Sequence, residues 1–308
     1  MLLSFSARVA VWDTGQYYRE SKKYKKANKL YQHVVKTSPE SEHALWAQAD
    51  LIKSYLALGD DPNAKTAVDK LLTEFAHNKH IARAIHDTAW EYRKSGNYGR
   101  ANELDQYVID NWTADVQVMW AKMDMAKTDI GLGNDAAAEK TIDILIADFN
   151  DHPELPTAIF MLGEEYYNKA FQYQNKDSNE QSKECFHKAI ALSGRIITEL
   201  PESTITPQAY ILLGECYSRL GRHQESLGCY QKVVSNWPNC EYAWYAQFLI
   251  GCTYEQLRDS GDVEKTVAYT EIRVAYEGVL RDYPDCPAVR AASNWLNCYV
   301  KPSQGGQK

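Results

Sequence analysis

A chain of 308 residues with 44% hydrophobic and 24% charged side chains carries enough apolar material for a buried core, which excludes an intrinsically disordered protein. Its net charge of -7 excludes a general attraction to nucleic-acid phosphates, which requires patches of excess Lys and Arg, so a protein or peptide partner is expected and no nucleic acid. No apolar run reaches the roughly 18 residues of a membrane helix, so no transmembrane segment is expected. The seven cysteines are odd in number, lie between Cys185 and Cys298, and include no Cys-x-x-Cys pair. That argues against a disulfide framework or a structural zinc site and for small buried packers.

In chain order, Met1-Leu2-Leu3-Ser4-Phe5 has neither a basic n-region nor a full apolar h-region. A cytoplasmic location is the default expectation, and a periplasmic or envelope location follows if a leader precedes Met1. From there a period of 37 governs the chain. Alanine recurs at Ala10, Ala47, Ala84, Ala121 and Ala158, and again, after an insertion, at Ala209 and Ala246. A second column reads Tyr18, Tyr55, Tyr92, Asp129, Tyr166, Tyr217 and Tyr254; a third reads Ala27, Ala64, Ala101 and Ala138. Aromatics close the units at Phe75, Trp112, Phe149, Trp237 and Tyr283. A fixed period of 20 to 50 residues marks a repeat array.

Between the Tyr column and the second Ala column lies turn chemistry, as at Gly59-Asp60-Asp61-Pro62, Ser95-Gly96-Asn97, Gly133-Asn134 and Leu220-Gly221. Each unit is therefore predicted to be helix, turn, helix. Val68, Leu71, Leu72 and Phe75 show the three-and-four spacing of one buried helical face. Small residues in a column let helix axes approach to roughly 8 to 10 Å. The expected organisation is one all-α array over 1–300, with repeats starting near 8, 45, 82, 119, 156, 207 and 244 and a capping helix at 287–300. A disordered tail is expected at 301–308. Polar insertions near 172–183 and 258–266 are expected as surface loops or extended helix ends.

The columns spell a pattern that resembles the tetratricopeptide repeat: Tyr210-Ile-Leu-Leu213-Gly214-Glu-Cys-Tyr217 with Ser226, Tyr230 and Pro238, then Leu162-Gly163-Glu-Glu-Tyr166 and Ile250-Gly251-Cys-Thr-Tyr254. Resemblance covers roughly Arg8 to Asp285. The 37-residue unit, and the phrases Asn236-Trp237-Pro238 and Asp282-Tyr283-Pro284, are similar to the long-repeat outer-membrane assembly lipoprotein and Tol-Pal-associated groups of bacteria. Those lipoproteins carry an amino-terminal lipid-modified cysteine, whereas the first cysteine here is Cys185. The resemblance implies a right-handed α-solenoid of about seven helix-turn-helix repeats with a C-terminal capping helix. It implies a groove lined by the first helix of each repeat, a protein partner, no cofactor and no enzymatic activity.

That implication selects the columns to inspect. One reads Trp12, Ala49, His86, Met123, Phe160, Ile211 and Phe248; beside it stand Asp13, Asp50, Asp87 and Asp124. A third reads Gln16, Lys53, Trp90, Lys127, Glu164, Glu215 and Cys252, with Arg19, Arg83 and Arg93 adding positive charge and Tyr167 adding a ring. Asp50 with Lys53 and Asp124 with Lys127 are three apart, and Arg83 with Asp87 four apart, so each pair can meet on a helix. Two uses compete for these residues: a solvated or packing face, or a groove offering one carboxylate per repeat, and later aromatic anchors, to a peptide. No His-Glu-x-x-His, Gly-x-Ser-x-Gly or phosphate-loop motif occurs, and His77, His80 and His86 lack ligand spacing, so no metal site is expected. The leading expectation is a non-enzymatic protein-interaction scaffold. Its alternatives are a component of an envelope assembly complex or the binding part of a larger enzyme.

Overall fold

A computed structural model describes residues 5–113, 115–200 and 203–299, and among them are fifteen α-helices and no strand. The opening residues 1–4, the expected tail at 301–308 and Val300 at the end of the expected cap lie outside that set. Each repeat is one helical hairpin. The first four are α1 (Phe5–Glu20) with α2 (Tyr24–Thr37), α3 (Glu42–Ala57) with α4 (Asp61–Glu74), α5 (Ile81–Lys94) with α6 (Tyr98–Asn111), and α7 (Val116–Leu132) with α8 (Asp135–Phe149). Then come α9 (Leu155–Gln174) with α10 (Asn179–Glu199), α11 (Thr206–Arg219) with α12 (His223–Asn236), α13 (Ala243–Ser260) with α14 (Lys265–Asp282), and α15 (Val289–Tyr299). They form two compact units, Met1–Asn150 and Asp151–Lys308, divided at a repeat boundary.

The turns have a local cause. A residue in the turn ahead of each second helix leaves the right-handed region: Gly59, Gly96, Gly133 and Gly221, which share one column, and Gly261 all have positive φ. Lys22 and Asp177 adopt the same conformation in the first and fifth repeats without glycine. Side chains then cap the free amides, with Ser41 accepting from Ala44 N, Asp60 from Asn63 N, Asn97 from Arg100 N and Asp115 from Gln117 N.

In the first unit, first helices touch along the series α1, α3, α5, α7, and each also packs on its own second helix. Ala47, Ala84 and Ala121 are fully buried at these crossings, as are Ala27, Ala64, Ala101 and Ala138. Ala10, on the first described helix, is exposed. One core joins Ile52, Val68, Leu71, Ile85, Leu104 and Val108.

In the second unit α9 packs on α10 and α11, α12 on α11 and α13, and α15 closes the sequence on α14. Ala158, Ala209 and Ala246 are again fully buried. Both insertions lengthen helices: α9 and α10 reach 20 and 21 residues against 14 each for α11 and α12, and α13 and α14 reach 18 each. Of the two forms expected for them, extended helix ends are the ones found. The glycines of the motif serve close approach: a Cβ on Gly214 would lie 2.5 Å from Cε1 of the buried Tyr230, and Gly251 faces Tyr276 in the same way.

Candidate functional site

The first helices carry the candidate residues, and the two units use them differently. In the first unit the carboxylate column turns inward at two of its four members. Asp50 on α3 is buried and accepts hydrogen bonds from Trp12 Nε1 at 3.1 Å and Gln16 Nε2 at 2.9 Å, both on α1, with Lys53 Nζ 3.4 Å away. Arg19 Nη2 donates to Gln16 Oε1 at 2.7 Å and supports that arrangement. Burial pushes the Asp50 carboxyl above its ordinary value, against the charges of Lys53 and Arg19. Asp124 on α7 is buried too, with His86 Nε2 at 3.2 Å and Arg93 Nη1 at 3.4 Å, both from α5.

Arg93 continues into the core. Its Nη2 donates to Asp105 Oδ2 at 2.6 Å and to Asn102 Oδ1 at 3.3 Å on α6, and its Nε donates to Thr128 Oγ1 at 2.7 Å. Asp105 is fully buried and occupies a column that holds Tyr31, Val68 and Ile142 in the other repeats of this unit. Burial raises its carboxyl to about 6, with Arg93 opposing. Burial works against a charged imidazole at His86, but the Asp124 bond and the charges of Asp105, Asp124 and Asp87 outweigh it, so the His86 pKa rises. Two carboxyl groups, one guanidinium and one imidazole thus meet inside the unit, and such a cluster is costly to break by removing one partner.

The remaining first-unit candidates lie outward or partly so. Asp13 and Arg83 are exposed, and the Arg83 guanidinium sits 5.9 Å over the Trp46 ring. Trp90 is 48% exposed, with Lys94 Nζ 4.2 Å above its ring. Asp87 and Lys127 are half-buried.

In the second unit, the candidates converge on a cleft between α9, α11 and α13. A cavity of about 440 Å³ is lined by Phe160, Glu164, Tyr167, Ile211, Glu215 and Tyr245, among others. A second cavity, of about 380 Å³, shares Tyr167, Glu215 and Tyr245 and adds Arg219, Leu249 and Gln256. The walls are held in place. The Tyr167 ring meets Phe171 edge-on at 5.0 Å and Phe186 at 5.7 Å, and Tyr245 Oη donates to Glu215 Oε1 at 2.7 Å. Burial raises the Glu215 carboxyl, opposed by the Tyr245 bond and by Arg219. The Tyr167 hydroxyl is pushed up to about 12, first by burial and then by the Glu215 charge.

Phe160, Glu164, Tyr167 and Ile211 are therefore brought together, whereas Phe248 stacks on Tyr276 at 5.4 Å within the apolar cluster of α13, α14 and α15. Sequence columns alone miss Tyr242, which borders the cleft just ahead of α13, and Arg219, whose one signal is its place one turn beyond Glu215. They also miss Asp105, which sequence shows only as a polar residue in an apolar column.

Comparison with known proteins agrees with the repeat. A family model described as "Tetratricopeptide repeat" matches residues 208–239, which include most of α11 and all of α12. No curated protein matches the chain at a significant level. Among solved structures, similar chains include the C-terminal part of a TPR repeat-containing protein from Cytophaga hutchinsonii, at 13% identity over 91% of this chain and 98% of that one, TM-score 0.45. A tetratricopeptide repeat protein from Parabacteroides merdae gives 11% identity over 93% and 97%, TM-score 0.43. The human IFIT1 dimer with PPP-AAAA gives 14% identity over 91% of this chain and 60% of that one, TM-score 0.44. The match over the sixth repeat thus supports the tetratricopeptide repeat family for that helical hairpin, one of those described above.

Proposed function

We propose that the chain is a non-enzymatic scaffold that holds a segment of a protein partner on its first helices, anchored in the second unit's cleft between α9, α11 and α13. Stacked helical hairpins present extended binding surfaces of this kind. One observation carries the reading: four residues drawn from three successive first helices, Phe160, Tyr167, Ile211 and Tyr245, line one cavity large enough for side chains of a bound segment. Apolar and aromatic walls with a few fixed polar groups are what ligand sites use, and buried aromatics dominate interface energies. In the first unit, Trp12, Asp50, Arg93 and Asp124 tie neighbouring helices together, with Lys53 beside Asp50 on α3, while Asp13, Arg83, Asp87, Trp90 and Lys127 are the members that unit offers to a partner of its own.

The test is affinity purification with the wild-type chain and with Phe160→Ala, each checked for unchanged helical content by circular dichroism. Partners identified by mass spectrometry should be lost or depleted with the variant; an unchanged partner set would overturn the reading. A second reading, a component of a bacterial envelope assembly complex, rests on the 37-residue length of the repeat. It predicts that the native protein fractionates with the cell envelope, and recovery in the cytosol alone would dismiss it.

A further inference from the structure

The two cavities of the cleft share one carboxylate, Glu215, and differ in charge. The smaller one is bordered by a cation of the chain's own. Arg219 lies beside the Tyr167 hydroxyl, its guanidinium 4.7 Å over the Phe171 ring. The larger one combines Glu215 and Glu164 with the rings of Phe160, Tyr167, Tyr242 and Tyr245, and no described lysine, arginine or histidine lines it. Aromatic faces and carboxylates attract the same kind of group, because a ring face carries the negative side of its quadrupole.

Packing does not dictate the acid at this position. The column that holds Glu215 reads Gln16, Lys53, Trp90, Lys127, Glu164, Glu215 and Cys252, so the repeat tolerates either charge, a ring or a thiol there. Nor is Glu215 a loosely solvated surface acid. It is partly buried, its Oε1 is fixed by the Tyr245 hydroxyl, and a carboxylate offers about four lone-pair sites, so it can accept further donors in that fixed orientation. Burial raises its pKa, against the Tyr245 bond and the Arg219 charge, so the cleft is a costly place for the ionised form. An acidic side chain would meet the like charge of Glu215, and an apolar one would take Glu215 out of water without offering it hydrogen bonds.

We propose that the larger cavity takes a basic side chain of the partner segment, arginine in preference to lysine, with its charged group on Glu215 and its stem among the rings of Phe160, Tyr167 and Tyr245. Arginine is preferred because a planar guanidinium can stack on a ring and donate to a carboxylate at once, whereas an ammonium is a compact, strongly hydrated charge. This assignment rests on the cleft being the peptide-binding face.

The experiment needs no known partner. Random peptides displayed on phage are selected on the full chain, and the enriched peptides are synthesised with the basic residue intact or replaced by citrulline, which keeps the shape of arginine without its charge. The expected result is enrichment of peptides with arginine or lysine at one fixed position and a loss of about tenfold in affinity on replacement by citrulline. Glu215→Gln should bind the arginine and citrulline peptides within about twofold of each other. Enriched peptides that lack a basic residue, or that tolerate citrulline while losing affinity to Phe160→Ala, would overturn the cation assignment and leave the scaffold reading standing. Peptides indifferent to Phe160→Ala, or no enrichment at all, would overturn both. The citrulline comparison uses the wild-type chain, so it decides the matter even if the Glu215 variant folds poorly.

Discussion

The glycine of the repeat motif permits a sharp test of the packing argument. In α11, Gly214 faces the ring of Tyr230 from α12, and a Cβ there would stand 2.5 Å from Cε1, 2.9 Å from Cζ and 3.1 Å from Cδ1. Carbon atoms pack at about 3.5 to 4.0 Å, so Gly214→Ala requires the ring to move by roughly 1 Å. It has little freedom to do so. Tyr230 is 1% exposed and packs with Ile211, Leu227, Val233, Ala246 and Ile250. Overpacking of this sort costs about 1 to 3 kcal/mol, while alanine returns about 1 kcal/mol of helix propensity, so a net loss of up to about 2 kcal/mol is expected.

Gly228, inside α12 of the same hairpin, supplies the internal control. A Cβ there meets nothing within 4 Å. Gly228→Ala should therefore stabilise by about 0.5 to 1 kcal/mol, the ordinary cost of glycine in a helix. Urea denaturation followed by far-ultraviolet circular dichroism measures both, and the two variants should move the midpoint in opposite directions. Combining Gly214→Ala with Tyr230→Leu should cost less than the sum of the single changes, since the second removes the ring that the first displaces. Equal and same-signed shifts for Gly214→Ala and Gly228→Ala would refute the close-approach account.

Asp105→Asn probes the buried charge cluster. Asp105, raised to about 6, and His86, also raised, bind protons more tightly in the folded chain, so their contribution is present at low pH and lost as pH rises through the folded values. With burial and the Asp124 charge raising the Asp105 pKa and Arg93 opposing, wild-type stability should fall by up to about 3 kcal/mol between the ordinary aspartate pKa and about pH 6, and the variant should flatten that fall; an unchanged pH slope in denaturation midpoints would locate the proton elsewhere. Lys22→Gly, at φ 57°, should gain about 0.5 to 1 kcal/mol because a left-handed conformation burdens a residue with a Cβ, and a loss in melting temperature would contradict the turn argument. Phe248→Ala should destabilise by roughly 2 kcal/mol or more, since its ring stacks on Tyr276, and Phe160→Ala should cost clearly less; equal losses in denaturation would make Phe160 a packing residue.

The alanine columns were legible because a helix crossing imposes the same demand in every repeat. Six of the seven alanines, Ala47 through Ala246, are fully buried. Turns were legible for the same reason, since one backbone conformation recurs at Gly59, Gly96, Gly133, Gly221 and Gly261. The fate of the Asp column was not. A period fixes the direction in which Asp13, Asp50, Asp87 and Asp124 leave their helices, but burial depends on what the neighbouring helix brings. Asp50 is covered because Trp12 and Gln16 reach it from α1, and Asp124 because His86 and Arg93 reach it from α5. Asp13 has no such cover and stays exposed.

That contrast supplies a rule for separating structural from functional positions in this chain. Where every repeat agrees, as at the alanine crossings, the residue answers a demand of stacking and its substitution should be read in stability. Where repeats disagree and the side chains line an open cavity, instead of tying helix to helix in the way His86, Arg93, Asp105 and Asp124 do, the repeat itself does not dictate them. Glu164 and Glu215 replace the lysines of the first unit, and Phe160 and Ile211 replace Ala49 and Met123, yet all four line one cavity. A helical hairpin would fold with the residues of the other repeats at those positions. The rings and carboxylates gathered at this cleft therefore belong to its surface chemistry, and under the scaffold proposal their variants should be read in binding.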